Sequence, residues 1–208
     1  MVGEGPLSQT DADEARLAEH ALVDRARKGD SQAFGALYQT YVDRVYSFIV
    51  FRVRDSSVAE DLTQEVFLQA LRALDAFDWR GSLAPWLLRI ARNTVIDHWR
   101  RATRRPERAM SLLEAGEPDD DEGFIDRLLS VADDADRRAE QLWSRARISA
   151  ASARLTELQQ QVVALRFASG LSIKETSKVM GKSEGAVKNL QHHALKALKR
   201  QLADMEDG

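Results

Sequence analysis

Lys188 and His192 stand one helical turn apart, with Glu184 a turn earlier and Gln191 beside them. Gly185 and Asn189 flank the group, and Ser183 precedes it. A lysine can meet a guanine edge or a phosphate, and a glutamate can accept from cytosine N4. A serine at a helix start can hold a backbone phosphate. The chemistry open to this set is recognition of a nucleic acid by hydrogen bonds, with no bond made or broken. Covalent chemistry has no foothold elsewhere. The four histidines, His20, His98, His192 and His193, are scattered, and adjacent histidines on a helix point apart. The serines lack a nucleophile-elbow context, and no glycine-rich phosphate loop occurs. Cysteine is absent, which excludes disulfides, thiolate metal sites and cysteine nucleophiles. Neither metal nor cofactor is expected, and the chain does not read as an enzyme.

The elements that must position the polar set are two short helices and the turn between them. Ser172 and Glu175 have the spacing of a capping box, and Ile173, Thr176, Val179 and Met180 form the inner stripe of the helix they start. Gly181 supplies the turn and Ser183 the next N-cap. Val187, Leu190, Ala194, Leu195 and Leu198 then face inward, which predicts Glu184, Lys188, Gln191 and His192 on the opposite side. The pattern is that of a helix-turn-helix whose second helix enters a major groove. An ordinary αα-hairpin in a helical bundle is the alternative.

The rest of the chain reads as all-α. Of 208 residues, 44% are hydrophobic and 30% charged, which are globular values, and only four are proline. A helix is predicted over 12–28 with Ala15, Leu17, Ala18, Ala21, Leu22 and Ala26 as its apolar face, stopped by Gly29. Asp30 caps a second, which carries Phe34, Leu37, Tyr38, Tyr41, Val42, Val45, Tyr46, Ile49 and Val50. Ser57 and Glu60 suggest a capping box for a third over 58–74, and a loop at 75–82 leads to a fourth over 83–102. Further helices are predicted at 137–153 and from Thr156 to Ser169, with a weak one at 124–131.

The formal net charge of −3 conceals an asymmetry. Residues 106–136 hold eleven acids against two arginines, a net of −9, whereas 137–203 hold thirteen basic residues against four glutamates, a net of +9. The first segment, with Pro106, Gly116, Pro118, Gly123 and the run DDDE, reads as a solvated tether. Its Asp119, Asp121 and Gly123 do not keep the offsets of an EF-hand. The basic segment is the footprint of a phosphate-binding surface. No run of 18 apolar residues occurs and the N-terminus has no secretory pattern, so a cytoplasmic protein without a membrane span is expected.

Four blocks in order, AFGALYQTYVDRVYSFI, AEDLTQEVFLQALRAL, FDWRGSLAPWLLRIARNTVIDHWRR and LTELQQQVVALRFASGLSIKETSKVMGKSEGAVKNLQHHALKALKR, resemble the extracytoplasmic-function sigma factors of the sigma-70 family. Within that family the stretch ETSKVMGKSEGAVKNLQ is most similar to actinobacterial BldN-like members. The resemblance implies a disordered N-terminus at 1–16, sigma region 2 at 17–102, an acidic flexible linker at 103–136, region 4 at 137–203, and a tail at 204–208. It implies an initiation factor that binds core RNA polymerase at its clamp helices and flap, recognises −35 and −10 promoter elements and promotes DNA melting.

By that resemblance the face of Asp61, Gln64, Glu65, Leu68 and Arg72 docks on core polymerase, a solvated face being the alternative. The loop residues Phe77, Asp78, Trp79, Arg80 and Ser82 take a flipped −10 base, although Phe77 and Trp79 could equally plug the bundle end. Arg89, Arg92, Asn93, His98, Arg100 and Arg101 meet the −10 duplex and the non-template strand. Ser183, Glu184, Gly185, Lys188, Asn189, Gln191 and His192 read −35. The tether would thread the RNA-exit path, and an anti-sigma factor is an expected partner. A stand-alone helix-turn-helix regulator is one rival reading, which leaves the face at 61–72 and the loop at 75–82 without a purpose; a sigma-like scaffold that sequesters a partner without initiating is a second.

Overall fold

The computed structural model describes residues 9–103 and 151–204. The tether from 104 onward, the weak helix at 124–131, nearly all of the helix at 137–153, and the tail beyond 204 lie outside the described residues. Among the described residues the secondary structure is helical throughout, with no strand.

Four helices form the N-terminal unit: α1 (Gln9–Arg27), α2 (Ser31–Val53), α3 (Ser56–Ala73) and α4 (Ala84–Thr103), with a 3-10 turn at Leu74–Ala76. Asp30 caps α2 as its position suggests, accepting from the backbone of Gln32 and Ala33. The cap of α3 is not the Ser57–Glu60 pair. Asp55 accepts from Val58 N–H at 3.1 Å, and the Ser57 hydroxyl donates to the same carboxylate at 2.8 Å. A carboxylate held at the helix start also complements the dipole, so the earlier residue prevails.

α1 lies on a different face from the one its alanines suggest. Leu17 is 69% exposed, whereas Val23 and Ala26 are buried and Leu22 packs against the core. Glu19 turns inward: its carboxylate accepts from the Tyr41 hydroxyl and from Leu83 N–H at 2.8 Å. A charged residue thereby ties α1 to both α2 and the start of α4. Burial, followed by the adjacent Glu19, raises the pKa of the Tyr41 phenol well above its ordinary value.

The C-terminal unit comprises α5 (Glu157–Val163), a π turn at Ala164–Ala168, α6 (Ile173–Met180) and α7 (Glu184–Asp204). The capping box read at Ser172 and Glu175 forms, and Thr156 makes a second one with Gln159. The stretch after Thr156 is not α-helical to Ser169, because its last turn widens to the π register. Gly181 ends α6 with φ of 64°, the left-handed conformation for which glycine carries no steric penalty.

The two units touch. α2 packs on the π turn and α4 on α6. One apolar cluster runs through both, from Val23 and Phe48 to Val163, Leu165 and Leu198.

Candidate nucleic-acid and polymerase interface

The outer face of α3 presents Asp61, Gln64, Leu68 and Arg72 to solvent. Its inner stripe of Ala59, Leu62, Thr63, Val66, Phe67 and Ala70 is buried, so the polar face is imposed by the helical period. Leu68 is 54% exposed and Leu71 49% exposed. Leu71 joins the predicted face of Asp61, Gln64, Glu65, Leu68 and Arg72 through its i+3 offset from Leu68. Glu65 is half-buried, accepting from Gln69 at 3.0 Å with Arg101 at 3.8 Å, so it joins α3 to the end of α4.

The loop after the 3-10 turn divides into an anchor and a rim. Phe77 is buried, 4.8 Å from the Trp86 ring and with the Arg27 guanidinium over its face. Arg27 also donates to the carbonyls of Leu74 and Phe77. The plug reading therefore holds for Phe77, whose ring is not presented to a ligand. Trp79 is half-buried at the rim, stacked on His20 at 4.7 Å and edge-on to Phe77. His20 belongs to this aromatic group through a contact 59 residues away in sequence, which no local pattern signals. Asp78 and Arg80 are exposed and paired at 2.9 Å. Ser82 accepts from Ala84 N–H at 3.3 Å and so braces the start of α4.

Along α4, Arg89, Asn93, Arg100 and Arg101 are exposed, and His98 is half-buried with its ring edge-on to Trp99. Arg100 lies 3.4 Å from Asp97. Arg92 differs from the others: its Nε donates to the Gln161 side chain of α5 at 2.9 Å. Burial lowers its pKa, an effect that Glu157 opposes.

At the C-terminal unit, Ser183 accepts from Ala186 N–H at 3.2 Å and caps α7. Glu184, Gly185 and Lys188 are exposed, and Asn189 and His192 are half-buried. Gln191 does not join them. It is 4% exposed, and its amide oxygen accepts from Arg166 Nε at 2.8 Å. Arg166 also donates to the Leu171 carbonyl. The π turn brings Arg166 to the boundary of the α7 stripe, so Gln191 is drawn inward although helical spacing alone places it beside Lys188.

The exposed set thus forms three patches: a mixed acidic and apolar face on α3, an arginine-rich face on α4 next to an aromatic rim, and the start of α7. Matches to known families fall on the same stretches. The Sigma-70 region 2 family matches residues 37–105, and the Sigma-70 region 4 family matches residues 145–198. The chain is 43% identical over 198 residues to the ECF RNA polymerase sigma factor BldN of Streptomyces coelicolor, covering 93% of this chain and 69% of that protein. It is 34% identical over 172 residues to the ECF sigma factor SigX of Bacillus subtilis, covering 82% and 84% respectively. The chain belongs to the ECF RNA polymerase sigma factors. The solved structure of CnrH in complex with the cytosolic domain of CnrY shares its fold, with a TM-score of 0.59 at 23% identity over 91% of this chain and 97% of that one. In this sigma factor, region 2 corresponds to the helices carrying the α3 and α4 faces, and region 4 to the helix-turn-helix.

Proposed function

We propose that this sigma factor binds core RNA polymerase through the outer face of α3, using Asp61, Gln64, Leu68 and Arg72 with Leu71 added and Glu65 bracing the face from α4. The −10 element is engaged by Trp79, Asp78 and Arg80 at the rim and by Arg89, Arg92, Asn93, His98, Arg100 and Arg101 along α4, with Phe77 and Ser82 supporting the loop. Ser183, Glu184, Gly185, Lys188, Asn189 and His192 read −35, and Gln191 contributes from behind through Arg166. The protein performs no covalent chemistry; its binding energy shifts the promoter from closed to open. It acts where the polymerase acts, in the cytoplasm, and no helix among the described residues is long and apolar enough to cross a membrane. Region 2 spans 17–102 and region 4 spans 137–203, joined by the acidic tether, which follows the RNA-exit path. An anti-sigma factor is the expected inhibitor.

The observation that carries this reading is the coexistence of an exposed Leu68–Leu71 patch on α3 with an arginine-rich face on α4 and a separate polar face at the start of α7. A stand-alone regulator needs the face on α7 but gives α3 no partner. Co-elution of the protein with sigma-free core polymerase on a sizing column tests it, with Asp61→Arg/Glu65→Arg as control. Stoichiometric co-elution that the control loses is expected. A wild type that stays free of core while binding duplex DNA tightly would replace the sigma reading with the stand-alone regulator.

A further inference from the structure

Two adjacent stripes of α1 carry the residues that meet the loop after the 3-10 turn. Glu19, Val23 and Ala26 recur at i, i+4 and i+7, and so do His20, Asp24 and Arg27. The first stripe points inward, with Val23 and Ala26 buried and Glu19 at its N-terminal end. The second is polar and runs along the border of the bundle, with His20 and Asp24 half-exposed and Arg27 more deeply set.

These side chains meet the loop at three points. Arg27 holds its beginning, donating to the carbonyls of Leu74 and Phe77 with the guanidinium 5.9 Å over the Phe77 ring. Glu19 holds its end, accepting from Leu83 N–H at 2.8 Å while the same carboxylate accepts from Tyr41 of α2. Between the two, the His20 ring stacks on Trp79 at 4.7 Å with the ring planes 27° apart. The Asp24 carboxylate lies 3.8 Å from His20 Nε2 and 3.5 Å from Arg27 Nη1, and so links the middle contact to the first.

The loop does not hold itself. Among the described residues no backbone-to-backbone hydrogen bond begins or ends between Asp78 and Ser82. Gly81 turns through φ of 92°, a conformation that side-chain-bearing residues rarely adopt. The Asp78–Arg80 ion pair is exposed on both sides, and such pairs restrain a loop little. Trp79 is therefore placed by α1 and by the edge of Phe77, not by its neighbours in sequence. A loop ordered only when its ligand arrives loses conformational entropy at that moment, which weakens binding; one ordered beforehand does not.

We propose that α1 preorganises the base-capture loop, with Glu19 and Arg27 fixing its two ends and His20, steadied by Asp24, acting as a positioning residue that holds the Trp79 indole ready for an unstacked −10 base. This role rests on the reading of Trp79 as a −10 contact. Without the imidazole, Phe77 is the one remaining ring against Trp79 among the described residues. The indole then populates further orientations, and affinity for a base falls with the fraction that stays competent.

The test has two arms. In the first, the full-length chain carries fluorine-labelled tryptophan at its four tryptophans, and Trp79→Phe assigns the Trp79 resonance. His20→Ala should move that resonance toward the position of solvent-exposed tryptophan, and His20→Phe, which keeps a flat ring, should hold it near the wild-type position. In the second, the protein bound to core RNA polymerase is titrated with a mixed-sequence single-stranded dodecamer and with an abasic dodecamer of equal charge. The ratio of the two affinities reports base capture apart from phosphate attraction. His20→Ala should lower that ratio about fivefold or more, His20→Phe should restore it, and His20→Gln, polar but ringless, should behave like alanine. Thermal unfolding should be the same in all three, because the site is half-exposed, so a general loss of structure cannot account for the pattern. His20→Ala/Trp79→Ala should capture bases no worse than Trp79→Ala, since His20 acts through the indole. An unmoved resonance, a moved resonance with an unchanged ratio, or a lost ratio that His20→Phe does not restore overturns the positioning role. A ratio that survives Trp79→Ala refutes the −10 reading of Trp79, and the role of His20 with it. A ratio lost in Trp79→Ala but kept in His20→Ala overturns the positioning role alone.

Discussion

The inward position of Gln191 separates two accounts of the recognition helix, and a double-mutant cycle with Arg166 distinguishes them. In Arg166→Met, the buried Gln191 oxygen and the Leu171 carbonyl lose their donor. Each buried group left unmet costs about 1–3 kcal/mol, so the expected loss is roughly 2–6 kcal/mol. Gln191→Leu leaves Arg166, which is half-buried and can turn toward water, so about 1 kcal/mol is expected. When both are replaced only the Leu171 carbonyl stays unmet, and the double variant should be ~2–4 kcal/mol more stable than the sum of the singles. Urea unfolding followed by circular dichroism reads the cycle, and a −35 titration with systematically altered bases reads recognition. Gln191→Leu should leave base preference intact. Additive costs within ~0.5 kcal/mol, together with relaxed preference at one base pair of about 1–3 kcal/mol, would refute the inward assignment and return Gln191 to the DNA-reading face.

Lys188→Ala should weaken −35 binding by about 1–3 kcal/mol if the lysine reads a base, and by a similar amount across all sequences with a shallower salt slope if it meets phosphate; unchanged affinity removes it from the interface. Phe77→Ala should destabilise the protein by roughly 3–5 kcal/mol, as loss of a buried anchor does, whereas Trp79→Ala should cost less in urea yet impair promoter opening in a permanganate footprint. Asp30 and Asp55 each have a carboxyl pKa held below the ordinary value, first by backbone N–H donors at a helix start and then by Arg25 and Ser57 respectively. A depressed folded-state pKa contributes stability above the unfolded value near 3.8 that disappears as pH falls through the folded value. The Asp30→Asn/Asp55→Asn variant, which keeps side-chain caps but has nothing to titrate, should lose helicity less steeply than wild type below pH 4 in an acid titration by circular dichroism. An identical acid profile would show that neither carboxylate contributes.

Most features of this protein that depend on residues within four positions of one another were legible from the chain alone, the cap of α3 excepted, where Asp55 prevails over the Ser57–Glu60 pair. The Ser172–Glu175 box, the Asp30 cap and the left-handed Gly181 turn all form as their spacing predicts, because donor and acceptor are neighbours whatever else the chain does. The buried stripe of α7 follows for the same reason, since Val187, Leu190, Ala194, Leu195 and Leu198 recur at the helical period. The exposed Leu68 on α3 also follows from period and polarity. Tertiary structure alone decided the rest. Glu19 faces inward because Tyr41 and the Leu83 amide await it, and Trp79 stacks on His20 from another helix. Gln191 turns away from Lys188 because Arg166 arrives from the π turn, and Arg92 leaves the basic face because Gln161 lies against it. Glu19, Arg92 and Gln191 each sit near the border between the buried and exposed faces of a helix, where period does not discriminate, and Trp79 lies in a loop that has no period. There a single hydrogen bond from a distant element outweighs the local preference, and no spacing rule within the helix contains that partner.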